Sequence, residues 1–209
     1  MTTRSLKIAV LGAGNIGSTL GRKWSAAGHH VAFGVSDPQG KKAQALRAER
    51  GDSVTIGLVE EVLNDNPDVI VMALPGTAMD AIITKNAALL DGRIIIDAAN
   101  RLGGGPMNSF ATFGEHTSHA QVFRAFNSLG WENFANPFFD GIQADLFYCG
   151  PDGEAREVVE QLIAEIDLRP VCLGDGQQVG LVDSVGSLWF ALVFGQGKGR
   201  HLAFKVLTR

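Results

Sequence analysis

The stretch from Leu6 to Ser36 constrains the fold most, because an apolar run, Ile8-Ala9-Val10-Leu11, breaks there into Gly12-Ala13-Gly14-Asn15-Ile16-Gly17. It reads as a buried strand meeting the start of a helix. A strand that feeds a helix through Gly-x-Gly-x-x-Gly gathers backbone N–H groups and the positive end of the helix dipole around one point, an arrangement suited to a diphosphate. Gly12 permits the tight turn, Gly14 carries no Cβ to hold a diphosphate away, and Gly17 lets the helix lie close to the strand. The pattern alone is common. Its context is more telling: a helical segment follows from Ser18 to Ala27, Gly28 stops it, and a second apolar strand, Val31-Ala32-Phe33-Gly34, comes next. Together these make a βαβ unit.

The alternation continues along the chain. Asp37-Pro38-Gln39-Gly40 is turn chemistry, Lys41 to Arg50 a polar helix, Val54-Thr55-Ile56 a short strand and Glu60 to Asn64 a helical connection. Val69 to Leu74 is a continuous apolar run of the kind buried in a central parallel strand. Pro75 ends it, Ala78 to Leu90 is the next helix, and Arg93 to Asp97 is another strand. Val122 to Phe126 is a sixth. The expected fold class is therefore α/β, a Rossmann-like doubly wound parallel sheet with its ligand crevice beyond the strand ends at Leu11, Val35, Leu74 and Asp97. Between the last two strands, Gly103-Gly104-Gly105 and the polar run Asn108 to His119 form either a flap over the crevice or a surface loop with a short helix.

Beyond residue 130 the pattern changes to a smaller β-α-β unit, Ala144 to Cys149, Glu154 to Ile166 and Pro170 to Leu173, followed by an apolar stretch, Val179 to Leu207, read as one or two helices. The chain is thus expected to be one NAD(P)-binding domain over 1–209, with a dinucleotide-binding core at 1–130 and a small C-terminal α/β lobe at 131–209 completing the acceptor site. The apolar C-terminal stretch calls for burial against the main domain or in a homodimer contact.

Composition narrows the class. A net charge of -4 with no basic tail gives no reason to expect a nucleic-acid partner. Two cysteines, Cys149 and Cys172, are too few for a disulfide scaffold and suit a reducing compartment. Met1 to Ser5 leads into an apolar run too short for a secretion signal, and no stretch of about 18 uninterrupted apolar residues occurs, so no membrane span and a cytoplasmic location are expected.

Five segments together resemble a known family: Gly12 to Gly17, Val71-Met72-Ala73-Leu74-Pro75, Ile96-Asp97-Ala98-Ala99-Asn100, Phe123 to Gly130, and Gly195 to Lys205. The chain is similar over nearly its whole length to the NADPH-dependent coenzyme F-420 (deazaflavin) reductases. The resemblance implies an oxidoreductase that passes hydride directly between NADPH and the deazaflavin, with no obligatory side-chain acid and hence no catalytic residue in the usual sense. In keeping with that, the only tyrosine, Tyr148, has Asp152 four positions on instead of a lysine, so the Tyr-x-x-x-Lys proton donor of carbonyl reductases is missing.

By the same resemblance, Ala13, Gly14, Asn15 and Ile16 contact the diphosphate within the cofactor-binding turn bounded by Gly12 and Gly17, and Val35 and Ser36 sit by the adenosine ribose. Leu74, Pro75 and Ala98 line the dinucleotide's path. Asn127, Ser128 and Trp131 approach the nicotinamide and the acceptor, and Leu202 reaches the site from the C-terminal segment. The family commonly carries an arginine just past the second strand to neutralise the 2′-phosphate of NADP, whereas this chain has Ser36 followed by Asp37. NAD is then the alternative cofactor, with Lys41 and Lys42 the compensating cations if NADP is used. Three other readings stay open: a related reductase of a flavin, metal ion or small imine, as in the metalloreductases and pyrroline carboxylate reductases that the chain also resembles; a dinucleotide sensor without catalysis; and, for His116 and His119, a metal pair or simply two solvated side chains. Gly195-Gln196-Gly197-Lys198-Gly199 lacks the spacing of a phosphate loop, while Lys198 and Arg200 are left to meet an anionic cofactor or cap a helix.

Overall fold

The computed structural model describes residues 4–50 and 54–209; Met1 to Thr3, part of the stretch read for a secretion signal, lie outside them. Six parallel strands form the main sheet in the order β3-β2-β1-β4-β5-β6. They are β1 (Lys7–Leu11), β2 (His30–Val35), β3 (Thr55–Leu58), β4 (Val69–Met72), β5 (Ile94–Asp97) and β6 (Gln121–Arg124). Strand order reverses between β1 and β4, whose registers are Leu11 with Gly34 on one side and Leu11 with Met72 on the other. The two neighbours then diverge, which opens a crevice at the carboxyl ends.

One face of the sheet is covered by α3 (Val59–Asn64), α4 (Met79–Lys85), α5 (Ala87–Leu90) and α6 (Phe110–His116), through Val62, Leu63, Met79, Ile83, Leu90 and Phe113. The other face carries α1 (Asn15–Ala26) and α2 (Lys41–Arg50). In α1, Gly17, Leu20, Gly21 and Trp24 make a buried stripe at helical spacing. A Cβ at Gly21 would stand within 3 Å of the Phe33 ring, so the bare glycine lets this helix settle onto β2.

The C-terminal residues form α7 (Trp131–Ala135), a hairpin of β7 (Phe138–Phe139) and β8 (Ile142–Gln143), a parallel pair of β9 (Asp145–Tyr148) and β10 (Arg169–Cys172), α8 (Glu154–Ala164) and α9 (Val179–Phe190). They pack into the same core as α1. Trp24 Nε1 donates to the carbonyl of Leu162 at 2.9 Å, and Phe126 stacks edge-on between Trp24 and Phe134, both centroid distances being 5.7 Å.

Several elements depart from their expected bounds. Helix α1 starts at Asn15, three residues earlier than Ser18. Strand β4 stops at Met72, two residues short of Leu74, and the expected helix Ala78 to Leu90 is broken at Asn86, whose Nδ2 bonds back to the carbonyl of Ile82. Strand β6 ends at Arg124, before a left-handed Phe126 (φ 60°). The loop ahead of β6 does carry a short helix, but α6 ends at His116, so His116 and His119 do not share a helical face; His119 pairs with Asp91. No cluster of three or more His, Cys, Asp or Glu side chains suited to a metal occurs among the described residues.

The largest correction concerns Val179 to Leu207. Helix α9 passes into a π turn, Ala191–Gly195, and there helix ends; residues 196–209 carry no regular structure. Gly197 and Gly199 take positive φ (64° and 81°), and Lys198 N–H closes the turn on the carbonyl of Leu192. Among the described residues one helix, Gly176–Gly195, is long and apolar enough to cross a membrane by mean hydropathy. One side of it packs on the fold, where Val182, Gly186, Trp189 and Val193 are buried and Asp183 is paired with Arg124, while Leu181, Leu188 and Phe194 stay exposed.

The tail is held by Asp145, a fully buried carboxylate that accepts from Arg169 Nε (2.7 Å), Lys205 Nζ (3.0 Å) and Val206 N–H (2.7 Å). Burial pushes its pKa up, but Arg169, the Val206 amide and Lys205 outweigh this, so the net shift is downward. A carboxylate with a depressed folded-state pKa stabilises the fold above its unfolded pKa of about 4 and loses that contribution as pH falls. Asp145→Asn should therefore lower the melting temperature at pH 7, and the gap from the parent should close as pH drops from about 5 to 3. A gap independent of pH in thermal melts would contradict the assignment.

Candidate functional site

A cleft of about 880 Å³ lies at the carboxyl ends of β1, β2 and β4, lined by residues from Gly12 to Ile16, by Val35 to Asp37, by Gly40 to Ala43, and by Val59, Ala73, Leu74, Pro75, Ala78, Ile82, Trp131 and Arg200. Its floor is the glycine turn. Gly12 takes φ 107°, and a Cβ there would come within 3 Å of the Ala73 carbonyl. At Gly17 a Cβ would strike the carbonyl of Gly12. These two glycines are thus required by the protein itself.

Gly14 is different. Its backbone is extended (φ -77°, ψ -176°), and an added Cβ would meet no protein atom within 4 Å. Nothing in the chain demands glycine here. It also stands at the N-cap of α1, a 12-residue helix with no side-chain cap and no acidic residue in its first turn. The first N–H groups of α1 are consequently left for an anion, and a bare Cα admits it closely. A diphosphate fits both features.

The wall beyond β2 carries Ser36, Asp37, Lys41 and Lys42, all exposed. Asp37 is committed to its own turn: Oδ1 accepts from Gln39 N–H at 3.0 Å, and its carbonyl accepts from Gly40 N–H. The two lysines make this wall electropositive despite that acid.

The opposite wall is built by α7 and the C-terminal segment. Arg200 is gripped by Glu132 through Nε (2.6 Å) and Nη2 (3.1 Å), and its guanidinium lies over the Trp189 and Phe194 rings at 5.4 and 5.8 Å. Burial raises the Glu132 pKa, but Arg200 more than compensates and the carboxyl is held below its ordinary range. Asn133 Nδ2 bonds the carbonyls of Arg200 and Leu202, and Trp189 Nε1 also donates to Leu202, which fixes the segment in place.

Of the residues singled out from sequence, Gly12, Ala13, Gly14, Asn15, Ile16, Val35, Ser36, Lys41, Leu74, Pro75 and Trp131 come together in this cleft. Gly17 supports it from behind. Ala98, Asn127 and Ser128 are buried and do not line it, and Leu202 contributes its carbonyl as an anchor. Sequence reading did not single out Val59, Ala73, Ala78 and Ile82 as cleft residues, and it left Arg200 between two roles. Their places follow from packing, with no local signature. Tyr148 is no proton donor to the cleft: it is fully buried, hydrogen-bonded to Glu160, and burial drives its pKa upward. A second concavity of about 680 Å³ opens at the opposite ends of β1 to β3, beside Lys7, His29, His30 and Thr55. Its lining also includes Glu61 and Val62 of α3.

Comparison with known proteins adds to this geometry. Residues 7–101 match the family described as NADP oxidoreductase, coenzyme F420-dependent. The chain is 25% identical over 169 residues to the F420-dependent NADP reductase of Methanocaldococcus jannaschii, a span of 73% of this chain and 74% of the relative. In fold it is similar to a crystal structure from Arthrobacter sp. FB24, provisionally named an F420-dependent NADP-reductase (TM-score 0.83, 21% identity, 98% of this chain and 100% of that one). A reductive aminase from Aspergillus terreus, solved with NADPH and ethyl-5-oxohexanoate, shares the fold at TM-score 0.65 and 20% identity, over 93% of this chain and 62% of that longer one.

Proposed function

We propose that this enzyme, whose residues 7–101 match the model of the NADP oxidoreductase family named for coenzyme F420, transfers a hydride between NADPH and the deazaflavin coenzyme F-420. The observation that carries the dinucleotide half of this reading is Gly14, a glycine the protein does not need, standing at an uncapped helix N-terminus in the cleft floor. The deazaflavin half is supported by the M. jannaschii relative and by the absence of a proton-donating tyrosine in the cleft lining.

Bound NADPH supplies the hydride. The chain's own residues bind and orient it. The N–H groups at the start of α1 hold the diphosphate, and Lys41 and Lys42 take the 2′-phosphate in place of the family's usual arginine. Leu74 and Pro75 pack against the dinucleotide's path, and Trp131 with Arg200 closes the wall on the acceptor side. Direct transfer between two stacked rings asks for alignment and for exclusion of water, with no side chain shuttling a proton to an alkoxide.

Anaerobic mixing with NADPH and oxidised F-420 should bleach the deazaflavin's visible absorbance. The double replacement Lys41→Ala, Lys42→Ala should raise the KM for NADPH by an amount equivalent to roughly 1–3 kcal/mol and leave that for NADH unchanged. Turnover of a cyclic imine with no bleaching of F-420 would overturn the acceptor. Equal losses for both nucleotides would overturn the role of the lysines.

A further inference from the structure

Strand β6 delivers the chain to the carboxyl edge of the half-sheet β4-β5-β6, and in a doubly wound sheet this half faces the second mononucleotide, here the nicotinamide. At this edge the backbone does something costly. Phe126 sits in the left-handed region (φ 60°), unusual for a bulky residue, with its ring locked between Trp24 and Phe134. The next two residues, Asn127 and Ser128, are 2% and 1% exposed, and Asn127 Oδ1 and Ser128 Oγ are buried with no hydrogen-bond partner. Native proteins seldom leave two adjacent buried polar atoms unpaired, and strain beside them is characteristic of a functional position.

Asn127 is turned by its neighbours. Its Nδ2 faces Asp183 Oδ1 at 3.4 Å, and its carbonyl accepts from Asn100 Nδ2 at 2.8 Å. Asp183 is held in turn by Arg124 Nε (2.8 Å) and Asn108 Nδ2 (2.7 Å). Arg124 is fully buried and spends its remaining donors on Asp97, the Ala99 carbonyl and Asn100. An ionised carboxylate only accepts, so Asp183 selects the donor side of the Asn127 amide and turns the acceptor away.

We infer that Asp183 is a positioning residue that presents Asn127 Oδ1 as an acceptor for the carboxamide N–H of the nicotinamide, with the Ser128 hydroxyl donating to the carboxamide oxygen. The inference rests on the dinucleotide reading above. A primary carboxamide offers one donor group and one acceptor, the complement of these two orphaned atoms. Both are covered by protein in this conformation, so pairing requires a local shift. Met107 is the adjustable neighbour, since its Cε and the Asn127 amide approach Gly186 from the same side.

The test compares three probes by titration calorimetry: NADP, its 3-acetylpyridine analogue, in which a neutral methyl replaces the amide nitrogen, and 2′-phospho-ADP-ribose, which lacks the ring altogether. The parent should bind NADP at least about tenfold more tightly than the acetylpyridine analogue, because a buried acceptor would lose its donor. Asp183→Asn and Asn127→Leu should each shrink that ratio to about threefold or less while 2′-phospho-ADP-ribose binds as in the parent, a pattern that loss of packing alone would not give. Equal affinity of the parent for NADP and the analogue overturns the inference, as does a parental ratio in Asp183→Asn. Failure of the parent to bind even 2′-phospho-ADP-ribose overturns the dinucleotide reading and this inference with it, and is distinguishable from the other two outcomes.

Discussion

Replacing Gly14 by aspartate should stabilise the fold by about 0.5–1 kcal/mol and, in the same protein, weaken NADP binding by roughly a hundredfold or more, equivalent to about 2.7 kcal/mol. The two effects have one origin. At this N-cap the backbone is already extended and an added Cβ meets nothing, so aspartate fits without strain. Its carboxylate would accept from the uncapped N–H groups of α1 and offset the helix dipole. Those N–H groups are the ones a diphosphate needs, and the new charge would repel it. Alanine at Gly12 or Gly17 should behave oppositely, since each Cβ would collide with a backbone carbonyl and damage the fold itself. Thermal melts and nucleotide titrations on the three variants separate the cases. A Gly14→Asp protein that binds NADP like the parent would remove the diphosphate from this turn.

The second large effect is expected at Arg124, the buried guanidinium between Asp97 and Asp183. Arg124→Met keeps the volume but leaves two carboxylates facing each other, one fully buried, and should cost about 3–5 kcal/mol, or roughly 6–20 °C in melting temperature for a chain of this size. The pH dependence gives a sharper signature. Burial raises the pKa of Asp97 even with Arg124 beside it, and removal of the cation raises it further. A carboxyl whose folded-state pKa lies above its unfolded value binds its proton more readily in the folded protein, so stability falls as pH rises through that range. The deficit of the variant should therefore narrow as pH is lowered from 7 towards 5. A deficit that grows on acidification would mean that Asp97 is not the charge left stranded.

Much of this was legible in the residues. The glycine turn and its flanking apolar runs identify the βαβ unit, because each glycine answers a different steric demand. The uninterrupted run Val69 to Met72 identifies a strand buried on both faces. The β7–β8 hairpin went unread: Asp140 and Gly141 at its turn take positive φ (49° and 82°), but its two-residue strands are too short to show alternation. The end of α9 was misread because Leu, Val and Phe continue the apolar pattern while three alternating glycines break the helix.

The sequence alone determined that a parallel sheet forms and where its glycine turn meets a helix N-terminus, since strand periodicity, glycine sterics and helix ends are local properties of consecutive residues. Only the tertiary structure decided which distant side chains share the cleft and which are locked behind it. Arg200 reaches the wall through Glu132, 68 residues away, and Asp183 turns Asn127 from 56 residues away. Such pairings depend on how helices pack across the sheet, and packing is set by the whole core at once, with no trace in the spacing of the residues it brings together.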